Sequence, residues 1–182
     1  MTPQLVVFTG LPGTGKSTLA AHAAGSLAAP VLGWDWVMAA LRPYPGIQEA
    51  LGRMDFPTYV GVGWSVMWNL CVAQLRLGRS VVLDAVAPDA QLEQTRAAAA
   101  THGAGCLVVL ATCSDEEIHR SRLEGRRREI PGWHELDWAH VQRVKSRFPS
   151  PSAVDLPLDA AEDLATNYDR LDQLLRAAAG CQ

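Results

Sequence analysis

The stretch QLVVFTGLPGTGKST, residues 4–18, decides the fold. Its first six residues, Gln4 to Thr9, are an apolar run of the kind that reads as a buried strand. The next nine, GLPGTGKST, fit G-x-x-x-x-G-K-[ST] with Gly10, Gly15, Lys16 and Ser17 in register. Glycines let the backbone curl so that successive N–H groups converge on phosphate oxygens, and a helix over about Lys16–Leu27 adds its positive N-terminal dipole. The expected nucleotide contacts therefore run through Gly10, Leu11, Pro12, Gly13, Thr14, Gly15, Lys16, Ser17 and Thr18. In such a loop the lysine reaches the β- and γ-phosphates and the Ser17 hydroxyl ligates Mg²⁺. The chain has only two lysines, Lys16 and Lys145, against a background that uses arginine. A compact ammonium at this position is a chemical choice rather than a compositional habit.

Outward from this loop, short Val/Leu-rich runs alternate with helical patterns. Val31–Gly33, Ser80–Val86, Cys106–Thr112 and the weaker Ala153–Asp159 read as further strands. Between them, Thr58–Leu77 is apolar almost all round and predicts a largely buried helix. Ser114 and Glu117 form a capping box for a helix that Gly125 ends. Trp138, Val141, Val144 and Phe148 share one face of the helix that follows, and Ala160–Gly180 closes the chain as a last helix. Strand and helix in repetition predict an α/β fold, a parallel sheet with helices on both faces, in a single domain over 1–182.

Composition narrows the class. A chain of 182 residues, 48% hydrophobic and 19% charged, can bury one core. No apolar run is long enough for a membrane span and the first residues carry no signal-peptide pattern, so a cytoplasmic location and no membrane partner are expected. The formal net charge of -3 gives no general attraction to nucleic acid. Cys71, Cys106, Cys113 and Cys181 form no CxxC pair and read as small hydrophobes.

Two carboxylates extend the phosphate-loop chemistry. Asp84 ends the strand VVLD, where a second Mg²⁺-side ligand is delivered beside such a loop. Ala85 and Val86 follow it, so no glutamate is offered there to activate water. A guanine-reading Asn-Lys-x-Asp loop cannot exist with lysines only at 16 and 145. Asp35 lies just past the second strand, between Trp34 and Trp36. Strand ends that share one side of the sheet bring it near the loop, as a base for an acceptor hydroxyl. The same residue also suits the N-cap of a short helix, DWVMAALR.

These residues taken in order resemble a family. GLPGTGKST, Asp35, GRSVVLDAVAP with Arg96 after it, CSDEEIHRSRLEGRRRE and DLPLD are similar to the small P-loop kinases around chloramphenicol phosphotransferase, zeta toxin and the kinase domain of polynucleotide kinase. The resemblance implies a three-layer P-loop NTPase fold, a five-stranded sheet of order 2-3-1-4-5, an acceptor-binding insertion at about 36–78 and an arginine-rich lid at about 120–134. Arg120, Arg122, Arg126, Arg127 and Arg128 crowd that lid. By the family's spacing Arg122 lies against adenine and Arg126 enters the transition state, with Arg127 and Arg128 as alternatives for the second role. In the insertion, Trp34, Trp36, Arg42, Arg53, Tyr59 and Trp64 are candidate acceptor contacts, and Trp64 and Trp68 are equally candidates for core. The expected activity is ATP- and Mg²⁺-dependent phosphorylation of a small-molecule hydroxyl. A polynucleotide 5′-hydroxyl kinase and a non-catalytic ATP switch are the rival readings; the insertion's low positive charge argues against nucleic acid.

Overall fold

The computed structural model describes residues 2–180. Its sheet is built of β1 (Gln4–Thr9), β2 (Val31–Gly33), β3 (Val81–Asp84), β4 (Gly105–Thr112) and β5 (Leu156–Asp159), all parallel, in the order β2-β3-β1-β4-β5. Helices cover both faces: α1 (Lys16–Leu27), α2 (Trp34–Leu41), α3 (Pro45–Gly52), α4 (Phe56–Leu75), α5 (Asp89–Thr101), α6 (Glu116–Glu124), α7 (Trp138–Arg147) and α8 (Leu164–Gly180). The central strand β1 is buried at every position, because side chains on both of its faces meet helices.

Alternation along the strands divides the core in two. Leu5, Val7, Val81 and Leu83 pack with Trp64, Met67 and Cys71 of α4. Val6, Phe8, Val82 and Val109 pack on the other face with Leu19 and Ala23 of α1 and Leu171 of α8. Both edge strands are short, and β5 contains Pro157.

Local chemistry moved several expected boundaries. Helix α4 begins at Phe56, with Pro57 in its first turn, because the Asp55 carboxylate accepts the Thr58 N–H as its cap. Only the Gly63–Trp64–Met67–Cys71–Leu75 stripe of α4 is buried; Val66 and Leu70 are exposed, since the helix lies on the outside of the sheet with one face inward. Asp115, not Ser114, caps α6 through the Ile118 N–H, while the Ser114 N–H donates to Asp159. Arg96 pairs with Asp155, whose carboxylate also accepts the Val108 N–H, so this arginine braces the β4–β5 edge rather than a ligand site. Cys71 is buried in the core, where burial pushes its thiol up to about 12, as expected of an inert hydrophobe. Cys181 lies outside the described residues. No described helix is long and apolar enough to cross a membrane.

Candidate active site

Sheet register assembles the site. Phe8 of β1 and Gly33 of β2 both stand level with Asp84 of β3. The loop after β1, the turn into α2 and the end of β3 therefore open onto one edge, where α/β sheets bind ligands. Thr9 locks the row: its hydroxyl accepts the Ala87 N–H at 2.9 Å and contacts the Ala87 carbonyl at 3.3 Å.

The phosphate loop is shaped by backbone. Gly10, Gly13 and Gly15 hold positive φ values of 135°, 89° and 81°. At Gly10 space as well as torsion forbids a side chain, since a Cβ would lie 2.0 Å from the Ala111 carbonyl oxygen. The Thr14 hydroxyl donates to the Leu11 carbonyl at 2.8 Å, and His119 of α6 contacts the Pro12 carbonyl at 2.8 Å, fixing the loop from outside. Helix α1 starts after Gly15 with no side-chain cap and no acid in its first turn, which leaves its N-terminal N–H groups to an anion.

Lys16 is buried and its ammonium donates to the Leu11 carbonyl at 2.9 Å. Burial pulls its pKa below the ordinary lysine value, while the Asp84 and Asp35 carboxylates hold it up. Arg126 reaches the Ser17 hydroxyl at 3.4 Å, and burial with the adjacent Arg128 cation lowers its pKa. Arg127 is exposed, and Arg120 pairs with Glu124 on the surface.

Asp35 is not a helix cap. The N-cap of α2 is Gly33, in extended conformation, and Asp35 sits inside the first turn. There its charge complements the helix dipole, and its carboxylate accepts from Arg128. The Arg128 side chain is only 4% exposed, and it donates to the His134 carbonyl at 2.7 Å as well.

Next to Asp35 opens a cavity of about 300 Å³. Lys16, Ser17, Asp84, Arg126 and Arg128 line its phosphate-loop end, and Trp34, Trp36, Tyr59 and Trp64 belong to its walls. Trp34 is pinned by an indole N–H bond to the Val60 carbonyl at 3.1 Å and meets Tyr59 edge-on at 5.5 Å. Its ring crosses α4 at Gly63, where a Cβ would come within 2.2 Å of the indole nitrogen. Trp64 is both core and wall, whereas Trp68 packs on the core alone. Arg42 stands behind the wall, 5.1 Å from the Trp133 ring centre, with a bond to the Gly132 carbonyl. Arg53 is displaced from the site altogether: it sits on the surface of the insertion, paired with Glu49 one turn away.

Much of the wall comes from a segment the sequence reading did not assign to it. Trp133 lies edge-on to Trp34 at 6.1 Å, and His134, His140, Arg143, Arg147 and Phe148 follow along α7 and its flanks. The Trp138–Phe148 apolar face was the available signal, yet nothing in its spacing tells that the helix flanks a cavity. A second cavity, of about 380 Å³, runs from Gly13–Thr18 past Arg122 and Arg126 to Ala160, Leu164 and Asn167. Arg122 donates to the Ala160 carbonyl there.

Residues 5–151 match the AAA-domain family, most of the chain and all of the phosphate-loop core. The chain belongs to the AAA-domain family. Solved structures share the fold of this AAA-domain protein over nearly their full length. A gluconokinase from Sinorhizobium meliloti aligns with a TM-score of 0.63 and 21% identity, over 97% of this chain and 94% of that one. The Mycobacterium tuberculosis APS kinase, solved with AMPPNP and APS, gives 0.66 and 22% over 96% and 98%. Chaetomium thermophilum Kti12, solved with ADP-AlF3, gives 0.66 and 18% over 97% and 100%. No curated protein matches the sequence. Together the likenesses and the 2-3-1-4-5 sheet establish the P-loop NTPase fold.

Proposed function

We propose that this protein is a kinase that transfers the γ-phosphate of ATP, with Mg²⁺, to a hydroxyl of a small molecule in the cytoplasm. Within its family it stands with the kinases around chloramphenicol phosphotransferase, zeta toxin and polynucleotide kinase. The observation that carries the reading is the seat of Asp35. Its carboxylate lies at the junction of the phosphate loop and an aromatic cavity, with Lys16, Ser17, Asp84 and Arg126 around the same opening.

ATP fits the second cavity, its phosphates on the loop and α1 N-terminus and its base beside Arg122. Asn167 borders the same cavity. It is 2% exposed, its amide N–H donates to the Asp159 carbonyl at 2.7 Å, and its Oδ1 is buried without a partner. The Ser17 hydroxyl and Asp84 carboxylate suit Mg²⁺, a hard ion that keeps waters and takes phosphate oxygens rather than a protein cage. When bound, it neutralises charge on the β- and γ-oxygens.

The acceptor hydroxyl approaches from the aromatic cavity. Asp35 takes its proton as the acceptor oxygen bonds to the γ-phosphorus and the bond to the bridging oxygen of ADP breaks. Lys16 and Arg126 stabilise the charge on the transferring group. A cavity of about 300 Å³ is the size of a small-molecule site, which supports a compact acceptor over a polymer.

The test is an ATP-consumption screen of hydroxylated metabolites, nucleosides and antibiotics, read by mass for a phosphate adduct, with GTP run in parallel. Asp35→Asn should leave ATP binding within about threefold and cut transfer by ~10² or more. An unchanged transfer rate in that variant would remove Asp35 from the chemistry. Tight ATP binding with no adduct across the screen would favour a switch.

A further inference from the structure

The aromatic cavity has donors with nothing to donate to. The indole nitrogens of Trp64 and Trp133 are buried without partners, whereas that of Trp34 is satisfied by Val60. Buried polar atoms nearly always find a partner, so two orphan donors on residues that line one cavity point to ligand oxygens that reach them once the wall adjusts.

Its charge is equally one-sided. Five cationic side chains line the cavity, against two carboxylates, Asp35 and Asp84. Both acids lie within the field of Lys16, at the phosphate-loop end. Helix α7 adds His140, Arg143, Val144 and Arg147 to the wall at i, i+3, i+4 and i+7, which is one helical face. Arg147 makes no ion pair among the described residues and rests 4.4 Å above the Phe56 ring. Arg143 reaches only Asp137, at 3.9 Å, with both side chains exposed, a contact of little strength. Burial and the surrounding cations lower the pKa values of His134 and His140, Arg42 and Arg128 acting on the first and Arg143 on the second.

We propose, resting on the kinase reading above, that the acceptor is a flat, oxygen-bearing ring alcohol that also carries a carboxylate or phosphate, gripped by Arg143 and Arg147. The ring lies among Trp34, Trp64 and Trp133, its oxygens accept the two orphan indole N–H groups, and its hydroxyl meets Asp35. Arginine suits the far end because its fork binds an anionic oxygen pair while its face stays on an aromatic ring.

Calorimetric binding to the intact protein with a non-hydrolysable ATP analogue tests this directly. The probes are benzyl alcohol, 4-(hydroxymethyl)benzoate, 4-(hydroxymethyl)phenyl phosphate and the saturated 4-(hydroxymethyl)cyclohexanecarboxylate. At least one of the two anionic aromatic alcohols should bind at least about tenfold tighter than benzyl alcohol and than the saturated acid. The double variant Arg143→Gln/Arg147→Gln should abolish that preference with ATP-analogue affinity intact, and Arg143→Lys/Arg147→Lys should keep part of it. Equal binding of benzyl alcohol, equal binding of the saturated acid, a preference that survives the glutamine variant, or no binding by any probe overturns the proposal. Transfer is assayed separately by mass. Anion-dependent binding without any phosphate adduct would count against the kinase reading and leave the cavity assignment standing. Efficient transfer to neutral or saturated alcohols would do the reverse.

Discussion

The two ends of the cleft are made of different material. The nucleotide end is built from backbone: positive-φ glycines, a free helix terminus and carbonyls that hold Lys16 and Thr14 in place. The aromatic end is built from side chains that reach in from α2, α4, the loop after α6, and α7. A backbone wall admits no variation at a given position, while a side-chain wall can be re-cut residue by residue. The fold can thus keep one end of the cleft constant and change the other.

Two glycines express the contrast. A Cβ at Gly10 would strike the Ala111 carbonyl, which cannot move without shifting β4; a Cβ at Gly63 would strike the Trp34 indole, a side chain that can yield only by giving up its Val60 bond and its ring contacts.

The largest effect should come from Lys16→Met. Phosphoryl transfer should fall by ~10³, the scale of a lost phosphate-stabilising charge. The melting temperature should hold or rise, because a buried ammonium whose pKa is depressed is itself a burden on the fold. A fall in stability as large as the fall in rate would break the assignment of Lys16 to chemistry. Next, Gly10→Ala should cost about 3 kcal/mol or more in urea unfolding, from strain and clash combined. Gly63→Ala should cost less, about 1–2 kcal/mol, since the gain in helix propensity offsets part of the bond and packing lost by the displaced indole. Its signature should instead be weaker acceptor binding with ATP affinity intact. Equal stability losses at both glycines would erase the distinction drawn between the two walls.

The smallest effect concerns pH. His140 has a folded pKa below its ordinary 6.5, first through burial and then through Arg143 and His134. Below that pH the unfolded chain takes up a proton that the folded chain resists, so stability is present above about 6.5 and is lost as the pH falls. Replacing His140 by Gln should flatten the slope of melting temperature against pH between about 7.5 and 5. An unchanged slope would show that the aromatic end does not disfavour protonation at this ring.

The same contrast explains what could be read from the chain. The phosphate loop was legible because its determinants are contiguous and the flanking strand and helix announce themselves by composition. Asp84 was legible as the last residue of an apolar run. Asp35 could be read as a carboxylate just past the second strand, but its competing role as a cap could not be dismissed: helix starts are uncertain by a residue or two, and Gly33 holds the cap position without contributing a side chain. Trp133 left no trace, since it sits in an irregular loop where no period applies. The spacing along α7 marked its apolar face, but whether Arg143 and Arg147 border solvent or a cavity depends on tertiary packing that no spacing records. Arg42 and Arg53 carried the same charge in the same insertion, and only tertiary packing separates a guanidinium stacked on Trp133 from one spent on Glu49.

The short edges of the sheet bear on how the molecule survives in a crowded solution. With three residues in β2 and a proline in β5, neither border presents a run of free N–H and C=O groups to a foreign strand. The protein can hold an open, aromatic-lined cleft at one end of its sheet without offering the sheet's own edges as a template for aggregation.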